Sequence, residues 1–344
     1  MATQAGAMAC LLCTHISLSA LCSASGGFYI LSVLTKRSFF ISLLWFFIPI
    51  VLLGILVEGL TRNIPTSYTY IAPYLDDHTE SIEVVLLGSS QMKDAINAKM
   101  LSLPAVNLAS GNQHHDTDFA LLKQLLPKLP NVHTVVLEVS YSHFELPHNG
   151  PDFWKHAYPL LYYNVNAYQR TTYFKDELLF FANPPIMIER LNNYYNSHED
   201  PAGFNDVGFD TLNYAGKFKR LKYDEEAITR SDRFKIYKIP NKDLFDHNVA
   251  HFLEMIDYLQ KQNIQVVVFQ APMYTSYLPQ RHPDILRRRD SVLREQIRQN
   301  NLLLFSIEED TLNFEVTDFW NESHLNPSGA KKATALLDQF LQQY

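Results

Sequence analysis

Val84-Val85-Leu86-Leu87-Gly88-Ser89-Ser90 sets four apolar residues directly against a glycine and two hydroxyls. The apolar run reads as a buried strand. The corner behind such a strand is where an α/β protein displays a reactive side chain. Glycine and serine are also ordinary turn formers, so the stretch alone assigns no chemistry.

Outward from this corner, short apolar runs and helical patterns alternate. Strands are predicted at 83–87, 105–108, 134–139, 264–270 and 302–305, and helices at 118–129, 249–262, 287–300 and 328–341. Strands separated by helices predict an α/β fold, a parallel sheet with helices on both faces in three α/β/α layers. From about residue 150 to 245 the alternation stops and Tyr, Phe and Asn crowd the chain, which reads as an insertion between the third and fourth strands. No internal repeat is present.

The N-terminal part has a different character. A charge-free run of 19 residues, FFISLLWFFIPIVLLGILV, begins at Phe39 and ends at Val57. That length crosses a bilayer as a helix. Lys36-Arg37 precede the run and Glu58 follows it, so the positive-inside rule leaves the short N-terminal side in the cytoplasm and exports the body. A cleaved signal peptide and a buried core helix are the rival readings. Residues 1–35 carry no Lys, Arg, Asp or Glu. They read either as a further membrane segment or as an extension from a wrongly chosen start codon. The expected organisation is an apolar segment over 1–37, a transmembrane anchor over 38–60, a linker over 61–80 and one domain over 81–344.

The 344 residues carry net charge −7 with 47% hydrophobic and 19% charged residues, a globular composition without the basic face that nucleic acid requires. The 22 Phe and 19 Tyr suit ring-stacking ligands such as carbohydrate, or simply an aromatic core. All three cysteines, Cys10, Cys13 and Cys22, precede residue 23, so no disulfide framework or cysteine metal site is expected in the body. Cys10 and Cys13 have zinc-like spacing but no second pair.

Near the C-terminus stands Asn321-Glu322-Ser323-His324-Leu325-Asn326-Pro327-Ser328-Gly329-Ala330. A histidine in a loop ahead of the last helix can reach the C-terminal sheet edge, where the Ser90 corner also lies. A hydroxyl is a poor nucleophile until a base takes its proton, and histidine suits that task near neutral pH. Alone, His324 reads first as a loop or helix-capping residue.

Three blocks in order resemble the SGNH (GDSL-like) hydrolases: Gly88-Ser89-Ser90, then Asn107-Leu108-Ala109-Ser110-Gly111, then His324-Leu325-Asn326 running to Gly329-Ala330. The resemblance covers roughly residues 82–144 and 246–343. It implies a flavodoxin-like sheet, Ser90 as nucleophile rather than Ser89, the Gly111 N–H as an oxyanion donor and His324 as base. Asn321 stands where the family has aspartate. An amide oxygen can orient an imidazole but brings no charge to stabilise imidazolium. Asp318 and Glu322 are the neighbouring carboxylates. The family's third-block asparagine is missing at Leu137-Glu138-Val139-Ser140-Tyr141, and Asn112 or Gln113 could supply the lost donor.

His114-His115-Asp116 with Asp118 has the residue types of a metal cluster, but adjacent residues rarely converge on one centre. The segment is expected to be a loop with an aspartate cap, its histidines near the cleft, and no metal or other cofactor is expected. Arg287-Arg288-Arg289 reads as a solvated helix face. An anchor followed by GSS looks most like the envelope branch of the SGNH group, the DltD family and the alginate O-acetylation proteins. That implies an exported serine ester hydrolase or O-acyltransferase acting on an acylated glycan, with the insertion forming the acceptor cleft. The alternative is a decayed relative that binds a glycan or a membrane acyltransferase partner.

Overall fold

The computed structural model describes residues 27–197, 203–231 and 236–344, with side chains from residue 37 onward. Cys10, Cys13, Cys22 and most of the apolar N-terminal segment lie outside the described residues. The chain divides into two units, residues 1–56 and 57–344. Helix α1 (Gly27–Arg62) contains the stretch Arg37–Arg62, long and apolar enough to cross a membrane, its most apolar 18 residues having mean hydropathy 2.8 and none of them buried. Trp45 is 70% exposed, and Phe39, Phe40 and Leu53 are exposed beside it, which removes the core-helix reading.

Within the second unit, the end of α1 is tied to the body through Glu58. This buried carboxylate accepts hydrogen bonds from the Leu179 and Phe180 N–H groups, both at 2.9 Å, and from Arg62 Nε at 2.7 Å. The expected linker corrects to a helix. α2 (Ser67–Asp77) buries Tyr68, Ile71 and Leu75, an i, i+3, i+7 face that the flanking Thr, Pro and Tyr residues obscured.

Five parallel strands follow: β1 (Val84–Leu87), β2 (Ala105–Asn107), β3 (Thr134–Glu138), β4 (Gln265–Gln270) and β5 (Leu303–Ser306), in the order β2-β1-β3-β4-β5. This is the predicted α/β sheet. The remaining framework is α3 (Ser90–Ala95), α4 (His115–Leu125), α5 (Lys242–Gln260), α6 (Pro283–Asn300), the small antiparallel pair β6 (Phe319–Asn321) and β7 (His324–Leu325), and α7 (Pro327–Leu341). Val85, Leu87, Val135 and Val266 pack on one side with Leu121 and Leu122 of α4 and Phe252 and Ile256 of α5. Val84, Leu86, Val136 and Val267 pack on the other with Met92, Ala333 and Leu337. Alternate side chains thus enter two cores, and the strands read as unbroken apolar runs for that reason. Each such Val or Leu contributes about 1.5–3 kcal/mol.

Between β3 and β4 the insertion forms short helical turns, with one isolated bridge between Phe204 and Asp210. Many of its aromatic rings are core. Tyr68 of α2 stacks on Tyr158 at 4.9 Å and lies against Tyr163 at 5.3 Å, and all three are buried.

The arginine run also corrects. Only Arg287 fits a solvated face, with an exposed i, i+3 partner in Asp284. Arg288 reaches the buried Glu145, and Arg289, 4% exposed, forks onto Glu308 at 2.7 and 2.9 Å. Glu308 also pairs with Arg281 Nη1 at 2.9 Å, so losing Arg289 removes the fork but leaves that carboxylate one cation. Arg289→Ala should lower the unfolding free energy by about 1.5–3 kcal/mol, the scale of lost charge-assisted hydrogen bonds, whereas Arg287→Ala should stay within about 0.5 kcal/mol. Equal melting temperatures for the two variants would contradict this.

Candidate active site

Ser89 is the N-cap of α3, its Oγ accepting from Gln91 N–H, and Ser90 is the first residue of that helix. The corner is pinned by Glu138, the last residue of β3, which is 1% exposed. Its Oε2 accepts from Ser89 N–H at 2.7 Å and Met92 N–H at 3.1 Å, and the Ser89 hydroxyl donates to the carboxylate at 2.9 Å. Burial pushes the Glu138 carboxyl above its ordinary pKa, while the Ser89 and Met92 donors pull it back. Gly88 has φ +146°, and a β carbon there would lie 2.5 Å from Glu138 Cβ, so only glycine lets β1 meet this carboxylate. Ser89 is thus held by the scaffold and Ser90 is presented. Asn107 secures the corner from the other side, its Nδ2 donating to Ile96 O at 2.9 Å.

Ser90 Oγ stands 2.8 Å from His324 Nε2. His324 lies on β7 rather than in a loop, brought there by the β6–β7 turn. Its Nδ1 is 3.1 Å from Asn321 Oδ1 and 3.0 Å from Ser323 Oγ. Asn321 Oδ1 also accepts from Ser323 N–H at 2.9 Å, so the oxygen rather than the nitrogen of that amide faces the ring. An oxygen there calls for a proton on Nδ1, which leaves the Nε2 lone pair facing the serine. Burial lowers the His324 pKa below its ordinary value; Asp94 acts in the opposite direction and Lys93 in the same one. Neither carboxylate suspected of orienting the ring does so. Asp318 accepts from Lys332 and from Glu315 N–H, and Glu322 is buried in an ion pair with Lys217.

The pair opens into a cleft of about 960 Å³ whose walls include Asn112, His114, Lys217, Arg220, Tyr237 and Trp320. The insertion thus contributes basic side chains beside an aromatic one. Gly111 lies next to the corner, where a β carbon would be 4.0 Å from Ser90 Cβ, and its carbonyl accepts from Lys155 Nζ. Burial lowers the Lys155 pKa to about 8, with Arg190 and Lys93 adding to the effect. Gly111 itself lines a neighbouring pocket of about 350 Å³ with Lys155 and Arg190. Of the two amides proposed beside it, Gln113 is committed. Its Nε2 donates to Leu108 O at 3.1 Å and Asp118 Oδ1 at 2.7 Å, which uses both its hydrogens. Asn112, exposed with φ 61°, stays at the cleft.

Sequence reasoning missed Glu138 as the anchor of the corner, although a lone acid inside Thr134-Val135-Val136-Leu137-Glu138-Val139 was the available signal. The aspartate cap at the start of α4 is also corrected: His114 occupies the cap position, and Asp116 and Asp118 lie inside the first turn.

No family model matches the chain, and no curated protein is similar to it. Among solved structures, it is similar to a proposed acylhydrolase from Bacteroides fragilis at 10% identity and TM-score 0.38, covering 78% of this chain and 94% of that one. It is likewise similar to a GDSL-like lipase from Bacteroides thetaiotaomicron at 9% identity and TM-score 0.38, covering 80% and 98%. A lipase/acylhydrolase from Enterococcus faecalis follows at 9% and 0.34, covering 76% and 96%. Likenesses this distant decide nothing about the reaction.

Glu138→Leu keeps much of the anchor's volume but removes the oxygen on which the Ser89 and Met92 N–H groups converge. It should cost about 1–3 kcal/mol of stability, as expected for an unsatisfied buried group, read as a lowered denaturation midpoint. An unchanged midpoint would mean that the corner does not depend on this carboxylate.

Proposed function

We propose that this chain is a membrane-anchored, exported serine ester hydrolase or O-acyltransferase acting on acylated cell-envelope glycans. The observation that carries it is the 2.8 Å contact between Ser90 Oγ and His324 Nε2 at the mouth of an open cleft. His324 Nε2 takes the Ser90 proton as Oγ attacks the ester carbonyl. The oxyanion is held by the N–H groups of Ser90 and Gly111, with Asn112 the remaining side-chain donor. As the intermediate collapses, His324 returns the proton to the departing alcohol and an acyl-serine remains. Water then releases a carboxylic acid, or a sugar hydroxyl accepts the acyl group.

The substrate class rests on the cleft and the anchor. Trp320 and Tyr237 line the cleft with aromatic rings, the residue type on which sugar rings stack, and Arg220 brings a cation, Lys217 being paired with Glu322. Lys36-Arg37 ahead of the apolar stretch favours a cytoplasmic N-terminal side and a catalytic body outside the inner membrane. Decay to a binding protein is the reading that Asn321 favours, since no carboxylate backs the base.

The pH–rate profile of p-nitrophenyl acetate cleavage by the full chain tests the proposal. Ser90→Ala should abolish cleavage and Ser89→Ala should retain a measurable rate. The active form of His324 is neutral and burial lowers its pKa, so the acid limb should fall below pH 6.5, the ordinary histidine value. A carboxylate beside Nδ1 stabilises imidazolium, so Asn321→Asp should move that limb to higher pH. It should also raise the plateau rate about ten- to a thousandfold, on the scale of triad-acid losses elsewhere. No rate in the wild type, and none in Asn321→Asp, would contradict the esterase reading.

A further inference from the structure

The adjacent residues His114, His115 and Asp116 do not converge alone, but the fold brings further histidines to Asp116. α4 carries Asp116 in its first turn, the chain after β3 carries His148, and α5 carries His247 and His251 one turn apart. One ligand atom from each of Asp116, His148 and His247 lies within 4.8 Å of the other two. Asp116 Oδ2 is 3.7 Å from His148 Nδ1 and 3.8 Å from His114 Nδ1, and Oδ1 is 3.5 Å from His251 Nε2. Those gaps are long for hydrogen bonds, which favour about 2.7–3.2 Å. They are near the roughly 3.3–3.6 Å that separates ligands placed about 2.0–2.2 Å from a tetrahedral zinc ion.

The hydrogen-bond accounting points the same way. Asp116 is 6% exposed and its Oδ2 has no hydrogen-bond partner; His114 Nδ1 and His148 Nδ1, the ring atoms nearest that oxygen, are buried without one as well. His114 Nε2 contacts the His143 carbonyl at 2.8 Å and must donate its proton there. In the neutral ring, the Nδ1 lone pair then faces a carboxylate oxygen. Two lone pairs held face to face in a buried site call for a cation between them. An N–H fixed by a backbone carbonyl is also how metal-bound histidines are commonly oriented.

We propose that Asp116, His148 and His247 hold one divalent transition-metal ion of the zinc class, with His251 and His114 as the adjacent donors. Imidazole with one carboxylate suits zinc and its neighbours rather than magnesium or calcium. The ion would fasten α4, α5 and the chain after β3 beside the Ser90 cleft, through His114 in its wall. The proposal stands apart from the esterase reading.

Full-length protein, purified in detergent without a polyhistidine tag and stripped with chelator, is titrated with zinc chloride and with cobalt(II). Bound metal is measured by mass spectrometry after desalting, and cobalt geometry by visible absorption. The expected result is one ion per chain with a tetrahedral or five-coordinate cobalt spectrum, and a melting temperature raised by zinc. His148→Gln with His247→Gln, at positions accessible enough to tolerate exchange, should weaken binding at least about 100-fold and abolish the zinc-dependent stabilisation. His133→Gln, remote from the cluster, should keep both. No stoichiometric ion in the wild type, or equal retention by the double variant, overturns the site.

Discussion

The buried carboxylate of Glu138 is the contact on which the site depends. It ends β3 and reaches across to the corner after β1, where Ser89 N–H, Ser89 Oγ and Met92 N–H converge on it. The strand order β2-β1-β3-β4-β5 reverses direction between β1 and β3, the switch point at which open α/β sheets leave a crevice. An acid placed there does two things. It satisfies the N–H groups of the Ser89 cap and of Met92 in the first turn of α3, which would otherwise be orphaned, and it occupies the Ser89 hydroxyl, so that of the two adjacent serines lining the cleft only Ser90 contacts His324. The steric demand on Gly88 follows from the same contact, since any side chain there would collide with the carboxylate.

The electrostatics of the pair differ from a charged triad. His324 is desolvated, and its orienting partner is a neutral amide whose oxygen also receives Ser323 N–H. Such an environment sets the tautomer without stabilising the cation. Geometry and charge, usually supplied together by aspartate, are thus separated in this chain, and only geometry is present. The two nearby acids cannot substitute, because each is engaged by a lysine of its own.

Most of the sheet was legible in the sequence because its strands are buried on both faces. Unbroken apolar runs marked Val84 to Leu87 and Val266 to Phe269 without any apolar–polar alternation. Ser90, His324 and Asn321 were legible through strand-end placement and resemblance, and the structure brings the three together. α2 was hidden because its apolar face rests on Tyr68, Ile71 and Leu75 among residues typical of turns. Arg289 looked solvated because its partner, Glu308, lies on a different element. The histidines around Asp116 were unreadable for the same reason: they come together only when α4, the chain after β3 and α5 are packed. Long-range pairing of polar groups leaves no local period, and sequence pattern reports only local periods.

The central claim is that Ser90 is the hydroxyl activated by His324. Mass-spectrometric mapping of a fluorophosphonate adduct on the intact, detergent-solubilised chain tests it most directly. The account predicts a single adduct on the peptide bearing Ser90, lost when His324 is replaced by alanine and retained when Ser89 is. An adduct on Ser89 or Ser323, or labelling of Ser90 that is indifferent to His324, would contradict it.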